Sequence, residues 1–137
     1  MRQDPVLFND TLRNNLTMYR DMCDDELIAL LQKLNLHKFA TPEGLDSMIR
    51  EGGSNLSGGE RKRIALARTL LRKAPITIVD EPLANVDSET AEKIEDILTE
   101  LSGGIVFVIT HHFSDDKKKA FAKEFRFSHN HVKHGGI

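Results

Sequence analysis

Apolar residues recur along this chain with two different periods, and the change from one to the other divides it. Behind the acidic start Asp24-Asp25-Glu26, residues Leu27, Ile28, Leu31 and Leu34 fall at helical spacing, and the spacing predicts a helix with one core-facing stripe. Thr41-Pro42-Glu43-Gly44 then reads as a break. Ser57 and Glu60 have the S-x-x-E spacing of a capping box, and Ile64, Ala65, Ala67 and Leu71 give the following helix an apolar face. From Pro75 onward the pattern becomes strand, helix, strand. Residues 76–79 are a short continuous apolar run, as expected of a strand buried on both faces of a parallel sheet. Ala91, Ile94, Ile97, Leu98 and Leu101 mark a helix ended by Gly103-Gly104, and residues 105–109 return to strand, completing a βαβ unit. Residues 124–132 suggest a hairpin around His129-Asn130. With no internal repeat or linker, the 137 residues form one unit of two parts, 1–73 read as loop and helix and 74–137 as α/β.

Composition narrows the function classes. At 39% hydrophobic and 29% charged residues, the chain has the make-up of a globular protein with its own core. A formal charge of -2 gives no electrostatic drive toward nucleic acid, which is set aside as a partner. The single Cys23 forms no intramolecular disulfide and fits a reducing, cytoplasmic setting. The apolar runs fall far short of the roughly 20 residues that a membrane helix needs, and no signal peptide is visible.

Chemistry concentrates at three places. Asn55-Leu56-Ser57-Gly58-Gly59-Glu60-Arg61 sets a hydroxyl and two glycines at a helix start, where amides without intrahelical partners sit at the positive end of the dipole and can bind an anion. Asp80-Glu81-Pro82 ends the first strand with two carboxylates, at the strand end where open α/β sheets hold their ligands. Such carboxylates are costly unless a cation or donors compensate them, which favours a Mg²⁺-nucleotide site. His111 ends the second strand and should emerge on the same edge. A phosphate cradle, a carboxylate pair and an imidazole in this order point to nucleotide hydrolysis.

The LSGGE segment followed by a DE-ending strand and a His-ending strand resembles the nucleotide-binding domain of ATP-binding cassette (ABC) transporters, and the resemblance runs from Gln3 to Gly136. Gln3-Asp4-Pro5-Val6-Leu7-Phe8 looks like the family's Q-loop, and Glu51-Gly52-Gly53 before the signature is most similar to the exporter branch. The resemblance implies a P-loop NTPase (RecA-like) parallel sheet core, incomplete here, with a helical signature subdomain. It implies ATP and Mg²⁺ as ligands. Ser57, Gly58, Gly59 and Glu60 would form the nucleotide-binding signature, acting on ATP held by the opposite subunit. Asp80 would hold Mg²⁺ through water, Glu81 would polarise the attacking water, and His111 would contact the γ-phosphate and that water. Gln3 would reach both nucleotide and Mg²⁺ and line the contact with a transmembrane domain. Asp87 would cross the interface with a second cassette, besides serving as an N-cap. The implied location is the cytoplasmic face of a membrane.

Two positions depart from the family pattern: Ala84 stands where many members carry Ser, and His112 where an Arg is common. No segment matches G-x-x-x-x-G-K-[ST], so the chain is expected to be the C-terminal part of a cassette and to be inactive by itself. Two other readings stand beside this one. One is a fragment of an SMC-like chromosome ATPase, disfavoured because no heptad run lies between Gln3 and Ser57. The other is a truncated, non-catalytic cassette that regulates a complete one. His129, His131 and His134 could share a strand face as a metal cluster, but no Cys or carboxylate nearby completes a ligand set. Lys117-Lys118-Lys119 reads as a solvated helix face. Without the upstream part of the cassette, residues 104–110 should form an open edge, with Val106→Lys and Val108→Lys as blocking substitutions.

Overall fold

Leucines from the first half of the chain build a core onto which one βαβ unit is packed. The computed structural model describes residues 6–128 and 131–134. The order begins with β1 (Asp10–Thr11), α1 (Leu12–Thr17) and α2 (Asp24–Lys33). Thr11 caps α1, its hydroxyl accepting the Asn14 amide at 3.1 Å. Three acids occupy the first turn of α2, and its expected stripe is buried: Leu27, Leu31 and Leu34 are fully enclosed and Ile28 partly so. Arg13 ties the two helices together by pairing with Asp24, and it also reaches Asp46 at 3.0 Å.

The expected break at Thr41-Pro42-Glu43-Gly44 is itself a helical turn, α3 (Pro42–Leu45). Proline suits the first helical position, and the Thr41 hydroxyl takes the Gly44 amide at 3.0 Å, so residues that stop one helix start another. Gly44 is required by a close approach: a Cβ there would lie 2.6 Å from the Phe39 carbonyl oxygen. β2 (Met48–Ile49) pairs antiparallel with β1. The reading of 1–73 as loop and helix therefore omitted a strand pair, because two residues per strand leave no alternation to detect. α4 (Gly58–Leu71) follows and buries Ile64, Ala65, Leu66, Ala67 and Leu71.

The second part opens with β3 (Ile76–Asp80), α5 (Ser88–Glu100) and β4 (Ile105–Ile109). The strands are parallel and in register from Ile76 opposite Ile105 to Asp80 opposite Ile109, confirming the βαβ unit. Val79, Ile94 and Leu98 join the leucine core, and Val108 packs against it. Burial on both faces is not observed. Ile76, Ile78, Ile105, Phe107 and Ile109 remain 49–57% exposed on the opposite face. A continuous apolar run shows that both faces are apolar, not that both are covered. The chain ends with α6 (Asp115–Lys118), then β5 (Phe125–Ser128) paired antiparallel with β6 (His131–His134), as the hairpin expectation had it. Its turn and the Gln3 loop lie outside the described residues, as do the side chains of the expected histidine cluster.

Lys118 and Lys119 pair with Asp115 and Asp116 at 2.8 Å on a solvated face. Lys117 instead turns back to α5, where it meets Asp96 at 2.7 Å and the Glu92 carbonyl at 2.9 Å. Among the described residues no helix is long and apolar enough to cross a membrane.

The register changes which lysine should block the β4 edge. Val106 and Val108 share a side of the strand with Val79, and a lysine at Val108 would press on the core; Phe107 and Ile105 are the outward positions. Self-association of the 137-residue chain through β4 is expected, and Phe107→Lys should reduce it. Light scattering across a concentration series checks this, and a wild-type monomer at all concentrations would refute it.

Candidate functional site

The signature segment forms the mouth of α4. Ser57 is the N-cap, its hydroxyl accepting the Glu60 amide at 3.2 Å while the Glu60 carboxylate accepts the Ser57 amide at 2.8 Å. This reciprocal box, a cap being worth about 1 kcal/mol, fixes where the helix starts. Glu60 also pairs with Lys38 at 2.6 Å. Burial works to raise its pKa, but the Lys38 ammonium and the Ser57 hydrogen bonds outweigh it and hold the carboxyl below the ordinary glutamate range. Glu60 is thus occupied in holding the helix start, whereas Gly58 is open: a Cβ there would meet only the far end of Arg61, at 3.9 Å. The Arg61 amide goes to the Ser57 carbonyl, so the amides of Gly58 and Gly59 are the ones left for an incoming anion. A Cβ on Gly59 would press the Arg63 guanidinium at 3.2 Å and lie 3.9 Å from the Asn85 carbonyl. The signature mouth therefore adjoins the loop after β3.

That loop carries the carboxylates. Asp80 ends β3 opposite Ile109, and the next residue, Glu81, takes a left-handed conformation (φ 46°) while its amide donates to the Ile109 carbonyl at 2.8 Å. The bond continues the sheet by one rung as the backbone turns. It brings the Glu81 carboxylate, 19% exposed, to 3.4 Å from His111 Nε2. The shared edge expected of Glu81 and His111 is what the fold produces. Asp80 is half-buried, and no described side chain pairs with it. No group of three or more metal-ligating side chains occurs among the described residues. One carboxylate without a described side-chain partner, at the end of a strand, suits Mg²⁺, which keeps several waters and takes one or two carboxylates plus phosphate oxygens.

Asp87 is the N-cap of α5. Its carboxylate accepts the Thr90 amide at 2.9 Å and the Thr90 hydroxyl at 2.7 Å, and these bonds, the amide first, lower its pKa. The Arg63 charge contributes least to the same lowering. The capping reading of Asp87 is observed directly. No described hydrogen bond or ion pair links Ser57, Gly58 or Gly59 to Glu81 or His111, so the signature mouth and the Glu81–His111 pair are separate features.

Sequence reasoning overlooked Lys38, Arg63, Arg68 and Asn15. Arg68 on α4 donates to the Asn15 carbonyl at 2.8 Å and the Val6 carbonyl at 2.9 Å, with its guanidinium 5.4 Å from the centre of the Phe8 ring. It clamps the segment that leads from Gln3 onto the signature helix. Its only sequence signal was an arginine on the apolar side of that helix.

The family model described as ABC transporter matches residues 1–84. The chain is similar to the ATP-dependent lipid A-core flippase of Syntrophus aciditrophicus, with 42% identity over 116 residues, 82% of this chain and 19% of the relative. It is also similar to ABC transporter C family member 12 of Dictyostelium discoideum, with 41% identity over 82% of this chain and 9% of the relative. Among solved structures, a bacterial Atm1-family ABC exporter with ATP bound aligns with a TM-score of 0.69 and 34% identity, over 81% of this chain and 20% of that one. The chain spans about a fifth of the length of the flippases it matches.

Proposed function

The chain belongs to the ABC transporter family, and we propose that it works as part of an export-type nucleotide-binding domain in which Glu81 and His111 carry ATP hydrolysis. The observation that carries this reading is the 3.4 Å approach of His111 Nε2 to the Glu81 carboxylate, beside an unpaired Asp80, at the end of a parallel strand pair.

Asp80, with Gln3 as the second candidate, would hold Mg²⁺, which when bound would supply charge neutralisation at the phosphates. Glu81 accepts a hydrogen bond from the attacking water and takes its proton as the water oxygen bonds to the γ-phosphorus and the bond from that phosphorus to the bridging oxygen breaks, ADP being the leaving group. Held by the sheet through its own amide, Glu81 keeps its carboxylate at one place on the edge. His111 is 88% exposed and free to turn its ring toward a phosphate oxygen while staying within reach of Glu81. Gly58 and Gly59 offer amides to a γ-phosphate presented by a second cassette, Ser57 sits at the same mouth, and Glu60 keeps that mouth in shape. Asp87 lies on the same approach. The partners in this reading are a second cassette and a transmembrane domain reached through the Gln3 segment, at the cytoplasmic face of a membrane, with hydrolysis coupled to export.

This 137-residue sequence contains no G-x-x-x-x-G-K-[ST], the segment whose amides and lysine grip the β- and γ-phosphates. The chain by itself is therefore expected to bind Mg·ATP more weakly than micromolar and to show no turnover. Calorimetric titration of the purified chain tests this, and micromolar binding would contradict it.

A further inference from the structure

Glu95 is the one charged residue buried among the described residues, at 5% exposure, and neither the signature mouth nor the strand edge uses it. A carboxylate removed from water is disfavoured unless donors surround it. Glu95 finds them on a single residue: one oxygen accepts the Ser114 amide at 2.8 Å and the other the Ser114 hydroxyl at 2.6 Å. Lys117 stands 3.8 Å from the second oxygen, itself held by Asp96. Ser114 is the N-cap of α6, yet its hydroxyl does not cap that helix; it is committed to Glu95 instead.

The five residues 110–114 run from the end of β4 to this clamp and carry His111. At the near end the strand holds them, and the Thr110 hydroxyl donates to the His112 carbonyl at 2.8 Å and accepts the His112 amide at 3.2 Å. Phe113 packs against the core and edge-on to Phe121, at 5.5 Å between ring centres. Beside the segment lies an open surface hollow of about 480 Å³ bordered by Leu83, Glu95, His111 and Phe113, so that side of the segment faces solvent. The path of the segment then depends on its anchors. α5 supplies the far one, and the same helix starts at Asp87, eight residues or about 12 Å along the axis from Glu95.

We infer that Glu95 is a positioning residue for His111: by clamping Ser114 to α5 it sets the path of residues 110–114 and holds the imidazole against Glu81. The inference rests on the reading of His111 as the phosphate-facing side chain. Glutamine should substitute well, since its oxygen can accept the Ser114 amide and its NH₂ can donate to the Ser114 hydroxyl.

Hydrogen–deuterium exchange on the 137-residue chain tests the clamp without any need for activity. Glu95→Ala should speed exchange across residues 110–114 by about 10- to 100-fold, the loss expected for two charge-assisted hydrogen bonds, with α4 unchanged. Ser114→Ala, at an exposed position, should give a smaller rise of about three- to tenfold, and Glu95→Gln should stay within about twofold of wild type. In a full-length protein carrying this sequence, Glu95→Ala should lower kcat about tenfold with KM for ATP unchanged, and Glu95→Gln should restore it. Unchanged exchange at 110–114 in both Glu95→Ala and Ser114→Ala overturns the clamp. Faster exchange with unaltered kcat overturns the link to His111. A wild-type protein without ATPase activity would refute the hydrolytic reading, and with it the link to His111, while the exchange result still decides whether the clamp exists.

Discussion

Glu81→Gln, made in a full-length protein that carries this sequence, is expected to cut ATP turnover by about 10²- to 10⁴-fold and to leave ATP affinity near wild type. The amide has the size of the carboxylate and keeps the backbone bond to Ile109, so the left-handed turn at φ 46° and the approach of His111 should survive. What disappears is the ability to accept a proton from water. Chemistry should therefore fail before binding does, and a pair of cassettes loaded with ATP should stay closed longer. Single-turnover kinetics together with an equilibrium binding measurement separate the two. Equal losses of rate and affinity would make Glu81 a structural residue of the strand end and leave His111 without a partner in the reaction.

The largest effect on stability is expected at Asn15. Replacing it by Ala should destabilise the chain by about 2–4 kcal/mol, because several backbone groups would lose their partners at once inside the protein. Asn15 is fully buried; its NH₂ donates to the carbonyls of Phe8 and Thr11 at 3.0 Å, and its oxygen accepts the Phe8 amide at 2.8 Å. Arg68 reaches the same oxygen at 3.3 Å from the signature helix. The network does for residues 6–11 what a longer strand would do for an ordinary segment: it satisfies the backbone of an irregular stretch that lies against the core. Asn15→Asp keeps the acceptor and the pairing with Arg68 but sets a buried carboxylate oxygen against the two carbonyls that the NH₂ served, so it should destabilise at least as much as Asn15→Ala. Urea unfolding of the three proteins measures this, and a loss below about 1 kcal/mol for Asn15→Ala would show that water replaces the lost donors.

Local chemistry was legible wherever it depends on neighbours in the chain. The S-x-x-E spacing at Ser57 and Glu60 is a capping box because both groups lie within one turn, and no distant residue is needed to close it. The stripe Leu27, Leu31, Leu34 is buried because helical geometry puts these residues on one side, and the apolar runs at 76–79 and 105–109 became parallel strands because a helical pattern of crossover length separates them. The order of the signature, the carboxylate pair and the histidine was enough to identify the family and to place Asp80, Glu81 and His111 on one strand edge.

Tertiary structure decided the rest. Whether an apolar strand is covered on one face or two depends on what packs against it, and Val79 is enclosed while Ile78 is half exposed, although the two are equally apolar neighbours. The side on which Phe107 and Val108 fall follows from register with β3, which composition does not encode. Asn15 with Arg68 joins residues 53 positions apart, and Glu95 with Ser114 joins residues 19 apart. In each case a polar side chain is buried because the fold brings its donors or acceptors to it, and a one-dimensional pattern shows the buried group without showing what satisfies it. The chain determines its helices, its strands and the residues at their ends; the packing determines which of those residues are held in place, and by what.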